Sequence, residues 1–168
     1  MILPHLITIA KLEDSRGIFL PAYDAESSPV AGLHQNWILQ NVSESAPGAL
    51  RGMHFQAEDS QSKLVTVLKG SIQDVVLDVR PGSGTFGKPF SFVLSATGAN
   101  QLFVPRGFAH GFLVLGNEPA LISYLADAPY RPESERIWSW QSAVFGNLWI
   151  SKPLVISPRD ANAPLFQD

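Results

Sequence analysis

Two histidine-bearing runs hold the residue types best suited to chemistry in this chain: Arg51-Gly52-Met53-His54-Phe55-Gln56 and Pro105-Arg106-Gly107-Phe108-Ala109-His110-Gly111-Phe112. Each sets one imidazole beside arginine, glycine and aromatic residues in a stretch otherwise composed for β-strands. Both histidines are therefore expected to point into a shared, partly apolar pocket. Such a pocket suits proton transfer.

The elements that must position these side chains read as short strands separated by turns. Leu64 to Leu68 and Ile72 to Val79 form two β-runs around the Lys69-Gly70-Ser71 turn. In the second run, a period of two sets Gln73, Val75, Leu77 and Val79 on one face and Ile72, Asp74, Val76 and Asp78 on the other. Both faces are mixed, as a barrel lined partly by polar groups requires. Further β-runs are expected at Trp37 to Val42, Phe90 to Leu94, Gln101 to Val104, Gly111 to Leu115 and Ala120 to Leu125. With 13 Gly and 13 Pro punctuating them, the pattern predicts an all-β antiparallel sandwich or barrel of jelly-roll type with short peripheral helices. The best helix candidate is Ser139 to Phe145, with a turn near Asp24 to Ser27. The tail from Lys152 to Asp168 reads as an irregular arm laid over the core.

Composition narrows the function classes. A chain of 168 residues with 45% hydrophobic content can bury a core in a single domain. A formal net charge of −3 without like-charge blocks argues against nucleic acid as a partner, so an anionic ligand must be held by a local cluster. The lack of cysteine excludes a disulfide framework, a thiolate nucleophile and a Cys-ligated metal. No apolar run approaches the roughly 18 residues of a membrane span, and the start has no basic-then-apolar leader pattern. A soluble, cytoplasmic protein is expected.

Pro105-x-Gly107-x2-His110 matches part of the second motif of the cupins, jelly-roll proteins whose barrel often holds a metal. Their metal site normally adds a His-x-His pair and a Glu from the first motif. Here His54 stands alone between Met53 and Phe55, and two histidines without a third ligand make a poor transition-metal site. No metal is expected.

Taken together, the runs resemble the dTDP-4-dehydrorhamnose 3,5-epimerase family, a metal-free branch of the cupins. The resemblance is carried by Ser15-Arg16-Gly17-Ile18-Phe19, Leu50 to Gln56, Lys63-Leu64-Val65, Asp78-Val79-Arg80, Thr85-Phe86-Gly87 and Leu94-Ser95-Ala96. It continues through Gln101 to Pro105, Gly107 to Phe112 and Ser157-Pro158-Arg159-Asp160. It implies a cofactor-independent epimerase of a nucleotide-diphosphate 4-keto-6-deoxy sugar, inverting C3, C5 or both. A 4-keto group acidifies the protons on its neighbouring carbons, so one group must remove a proton and another return it to the opposite face.

In this resemblance His54 is the base, Asp160 the carboxylate that orients it, Tyr130 the proton donor and Lys63 the cation beside the enolate oxygen. Asp74 and His110 match polar groups beside that lysine. Arg16, Arg51 and Arg159 match ligands of the diphosphate, Phe19 an aromatic that stacks on the base, and Asn41 a polar contact nearby. Arg16 and Phe19 would come from a neighbouring subunit, implying a homodimer with N-terminal strands exchanged and a C-terminal arm over about 139–168. Pro21 and Leu39 replace a Glu and a Gln of the family pattern, so the base or sugar can differ from the usual one. The alternatives are a sugar 3,4-ketoisomerase on the same barrel, a non-catalytic nucleotide-sugar-binding cupin, and a metal-dependent cupin enzyme.

Overall fold

The computed structural model describes residues 2–26 and 36–167. Its strands are β1 (His5–Thr8), β2 (Leu12–Asp14), β3 (Gly17–Phe19), β4 (Leu39–Ser45), β5 (Ala49–Gln56), β6 (Lys63–Lys69) and β7 (Ser71–Asp78). They are followed by β8 (Pro89–Ser95), β9 (Asn100–Val104), β10 (Phe108–Leu115), β11 (Ala120–Ala126), β12 (Glu135–Ile137) and β13 (Val155–Ile156). One sheet runs β1-β9-β6-β11-β4 and the other β12-β5-β10-β7-β8, with β13 added parallel to β5. Each sheet lends side chains to one shared core: Val65, Val67, Leu102 and Ile122 from the first meet Ile72, Val76, Phe108, Phe112 and Val114 from the second. This is the expected antiparallel jelly roll.

Both sheets are also covered on their outer faces, which explains the lack of clean alternation along the strands. Met53, Val75, Leu77 and Ala109 pack under Phe145 and Phe166, with Trp138 and Trp149 beside them. On the other sheet Ile7, Leu64 and Phe103 lie against Trp37 and Leu125. Gln73 is a polar tie in the first of these layers. Its Nε2 donates to Ser91 Oγ at 2.9 Å and to the Leu148 carbonyl at 2.8 Å, while its Oε1 accepts from the Ile150 N–H at 2.8 Å. The faces read for β7 agree with this arrangement: Ile72 and Val76 turn to the shared core, and Val75, Leu77 and Val79 to the arm.

The helix expected at Ser139 to Phe145 does not form; only Ala143–Phe145 makes a 3-10 turn. Its serines compete for the backbone. Ser142 Oγ donates to the Ser139 carbonyl at 2.6 Å and accepts from the Phe166 N–H at 2.9 Å, while the Ser139 N–H goes to the Pro164 carbonyl at 2.7 Å. The α-helix among the described residues is instead Pro158–Ala161, α1, within the tail read as irregular. Ser157 caps it by accepting the Asp160 N–H at 3.1 Å, and Pro158 opens it. Of the turn expected near Asp24 to Ser27, Ala25 and Glu26 turn as expected and Ser27 lies outside the described residues. No helix is long and apolar enough to cross a membrane among the described residues.

Candidate active site

His54 owes its position to a fault in the ladder between β5 and β10. His110 pairs with His54 and Phe112 with Arg51, so Gly52 and Met53 together face Gly111. This two-against-one bulge resets the strand's phase. Arg51 and His54, three apart, would otherwise face opposite ways, yet both line one cavity. The bulge requires glycine: Gly52 has φ +123°, and a Cβ there would come within 2.5 Å of the Gly111 Cα.

His54 Nε2 lies 2.8 Å from Asp160 Oδ1, and the Gly52 N–H donates to Asp160 Oδ2 at 3.4 Å. The carboxylate is buried, while the His54 side chain keeps 31% of its surface open. Burial on its own raises the Asp160 carboxyl. The bonds from His54, Gly52 and Ser157 outweigh it and hold the group below the ordinary aspartate range. Asp160 reaches this place because β13 pairs with Ala49 and Leu50 and feeds directly into capped α1. With Nε2–H committed to the carboxylate, the other ring nitrogen keeps the lone pair of a general base.

A cavity of about 380 Å³ opens in front of this pair, lined by Asn41, Lys63, Tyr124, Tyr130 and Glu135 as well as His54, with Leu39 and Phe108 as apolar wall. A second cavity of about 440 Å³ shares His54 with the first and carries Arg51, Arg159 and Asp160. Lys63 begins β6. Burial pushes its ammonium below the ordinary lysine range, against the attraction of Asp74 and Glu135. His110 and Asp74 sit beneath the lining rather than on it: His110 Nε2 is 2.9 Å from Asp74 Oδ2, and Asp74 is fully buried. Asp74 Oδ1 has no hydrogen-bond partner among the described residues.

Tyr130 is 52% exposed at the rim, where its hydroxyl donates to Glu135 Oε2 at 2.9 Å. That bond, more than burial, raises the Tyr130 phenol. Arg159 donates to the same oxygen of Glu135. Arg51 Nε donates to Ser45 Oγ at 2.9 Å. Arg16 and Phe19 are not brought here within one chain. They lie on the β2–β3 hairpin, where Arg16 is held by Asp14 at 2.6 Å and Phe19 is 65% exposed.

The polar lining residues given no role in the sequence reading are Gln56, Ser60, Gln61, Tyr124 and Glu135. Tyr124 shares the inward phase of β11 with Ala120 and Ile122, a signal available from period two, and lies between Asn41 and Val65 in register. It projects from the sheet facing that of His54, and burial raises its phenol. Glu135 lies across the strand pair from Gln56; nothing in the sequence distinguishes it from the neighbouring Glu133.

Among the described residues no group of three or more His, Asp or Glu is placed to hold a metal. Fold and site together define a cupin-type barrel with a carboxylate-oriented histidine and a lysine at one cavity. The family model described as dTDP-4-dehydrorhamnose 3,5-epimerase matches residues 4–168. The chain belongs to this family of isomerases. It is 38% identical over 148 residues to a dTDP-4-dehydrorhamnose 3,5-epimerase of Neisseria gonorrhoeae, a match covering 88% of this chain and 45% of that relative. The chain thus spans under half the length of that protein. Among solved structures, dTDP-6-deoxy-D-glucose-3,5-epimerase of Legionella pneumophila, in complex with dTDP-4-keto-L-rhamnose, superimposes with a TM-score of 0.90 at 35% identity, covering 96% of this chain and 87% of that one. A double mutant of ChmJ, a 3'-monoepimerase of Streptomyces bikiniensis in complex with dTDP, gives a TM-score of 0.86 at 27% identity, covering 96% and 82%.

Proposed function

We propose that this protein is a cofactor-independent epimerase of a dTDP-linked 4-keto-6-deoxy sugar, acting at C3, C5 or both. The observation that carries the reading is the 2.8 Å contact of His54 with buried Asp160 at the mouth of the cavity. His54 removes the proton α to the ketone, and Asp160 stabilises the imidazolium that forms. Lys63 balances charge developing on the enolate oxygen, in a setting where burial strengthens the interaction. The bonds balance: the C–H pair becomes the enolate, and a proton delivered to the other face restores the ketone.

The proton donor expected at Tyr130 is better assigned to Tyr124. Its phenol stands on the sheet opposite His54, whereas the Tyr130 hydroxyl is already committed to Glu135 at the rim. In the ChmJ double mutant the replaced histidine and tyrosine stand seventy positions apart, as His54 and Tyr124 do here. Arg51 and Arg159 flank the second cavity and suit a diphosphate. Asn41 and Tyr130 line the adjoining wall. Asp74, matched in the sequence with His110 to polar groups beside Lys63, acts on that lysine from beneath, and His110 pairs with Asp74.

The β2–β3 hairpin exposes Leu12, Ile18 and Phe19 beside Arg16, and it is read as the part that enters the site of a second copy. The functional unit is then a cytoplasmic homodimer of one cupin domain with its C-terminal arm. The test is a deuterium screen in D₂O of 4-keto sugars linked to dTDP, UDP, CDP and GDP. Exchange at C3 or C5 with the ketone kept at C4 is expected for the dTDP sugar. Ketone migration would show a ketoisomerase, and tight binding without exchange a non-catalytic protein.

A further inference from the structure

We infer that Gln56 is the positioning residue for Tyr130, holding this rim aromatic over the cavity before substrate arrives. The inference rests on the reading of that cavity as the nucleotide-sugar site. Gln56 ends β5 in the wall of the cavity and is buried, with 6% of its surface exposed and its carboxamide turned to the backbone of 59, 129 and 131. Its Nε2 donates to the Pro129 carbonyl at 3.1 Å and to the Asp59 carbonyl at 2.9 Å, and its Oε1 accepts from the Arg131 N–H at 2.8 Å. The Pro129 carbonyl and the Arg131 N–H belong to the two peptide groups that flank Tyr130. One carboxamide thus clamps the backbone on both sides of one residue.

The far end of the same side chain is held by the neighbour of Gln56. Glu135, directly across the strand pair, accepts from the Tyr130 hydroxyl. Tyr130 is therefore held at three points by one cross-strand pair, twice through its flanking peptide groups and once through its hydroxyl. The bond to the Asp59 carbonyl ties in the turn that follows β5, and Arg131 Nε adds a bond to Asp59 Oδ2 at 3.2 Å. This bracing is specific to glutamine. A carboxylate supplies the acceptor but no donor, an aliphatic side chain supplies neither, and asparagine is one methylene too short. Fixing an exposed aromatic in advance removes an ordering cost from binding, so the effect belongs in KM more than in kcat.

The experiment measures kcat and KM for solvent exchange with the dTDP-linked 4-keto-6-deoxy sugar in Gln56→Ala, Tyr130→Ala and the double variant, with melting temperatures. The expected result is a rise in KM of about tenfold in each single variant, the size of one aromatic contact, and no further rise in the double. A residue that merely stabilises the fold lowers the melting temperature without this coupling. Additive KM effects, or an unchanged KM in Gln56→Ala, would overturn the inference. If the alanine variant fails to fold, Gln56→Glu serves, since it keeps the volume and the Arg131 bond while losing both donations, and the same outcomes apply. His54→Asn is run in parallel: turnover surviving in it sinks the underlying site, whereas its loss beside an unchanged Gln56 variant sinks the bracing alone.

Discussion

Replacing Asp160 with asparagine keeps the shape of the side chain and removes its charge. Oδ1 now accepts from His54 Nε2 at 2.8 Å, and Oδ2 from the Gly52 N–H at 3.4 Å. An amide has one acceptor for these two donors. If its oxygen serves His54, the NH2 faces the Gly52 N–H. If its oxygen serves Gly52, the NH2 faces Nε2, which becomes an acceptor, and the proton moves to the nitrogen that must act as base. Loss of a buried charge-assisted bond costs about 1.5–3 kcal/mol, and at about tenfold per 1.4 kcal/mol the rate falls roughly 10- to 150-fold before any tautomer effect. The assay is deuterium wash-in followed by proton NMR. A variant within threefold of wild-type kcat/KM would refute the assignment of Asp160 as the partner of the base. Stability supplies an independent check. Because the folded carboxyl is depressed, its contribution is present above the unfolded value of about 3.9 and fades as pH falls through the folded value. The gap in melting temperature between wild type and Asp160→Asn therefore closes on acidification.

Asp74→Asn removes a charge that supports half-buried Lys63, so the ammonium is lost at lower pH. Asp74 and Glu135 act on that lysine, His54, Tyr124 and Tyr130 share its cavity, and His110 pairs with Asp74; the alkaline limb of kcat should move down in pH, and an unmoved limb contradicts the coupling. Tyr124→Phe should lower kcat by about 10²-fold or more, the range of a lost proton donor, while Tyr130→Phe changes KM by a few-fold. The reverse order would return the acid role to Tyr130. Gly52→Ala places a Cβ 2.5 Å from Gly111 at φ +123° and should cost about 2 kcal/mol or more, read as a melting-temperature drop of at least about 4 °C. An unchanged melting point would show that the bulge can relax.

The central strands were legible because their ends coincide with Gly, Pro or Asn and their residues are β-branched or aromatic. β6, β7 and β11 begin and end within a residue or two of the expected positions. The short edge strands β12 and β13 were not, because three- and two-residue pairings are fixed by the neighbour and leave no periodicity of their own. The tail conceals the helix Pro158–Ala161 for a similar reason: four residues carry no helical period, although Ser157-Pro158 is a recognisable helix start. His54 and Asp160 were paired through resemblance alone, since 106 positions separate them and only the β13 pairing with β5 brings them together. Tyr124 could have been found from strand phase. Glu135 could not, because its role depends on which hydroxyl and guanidinium the folded chain delivers to it.

In the proposed mechanism one imidazole, oriented by a buried carboxylate, moves a proton on and off carbon beside a ketone. A single measurement addresses it directly: proton NMR of a dTDP-linked 4-keto-6-deoxy sugar incubated in D₂O with wild type and with His54→Asn. Deuterium at C3 or C5 with wild type and none with His54→Asn is the predicted result. Exchange at the wild-type rate in the His54 variant would contradict it.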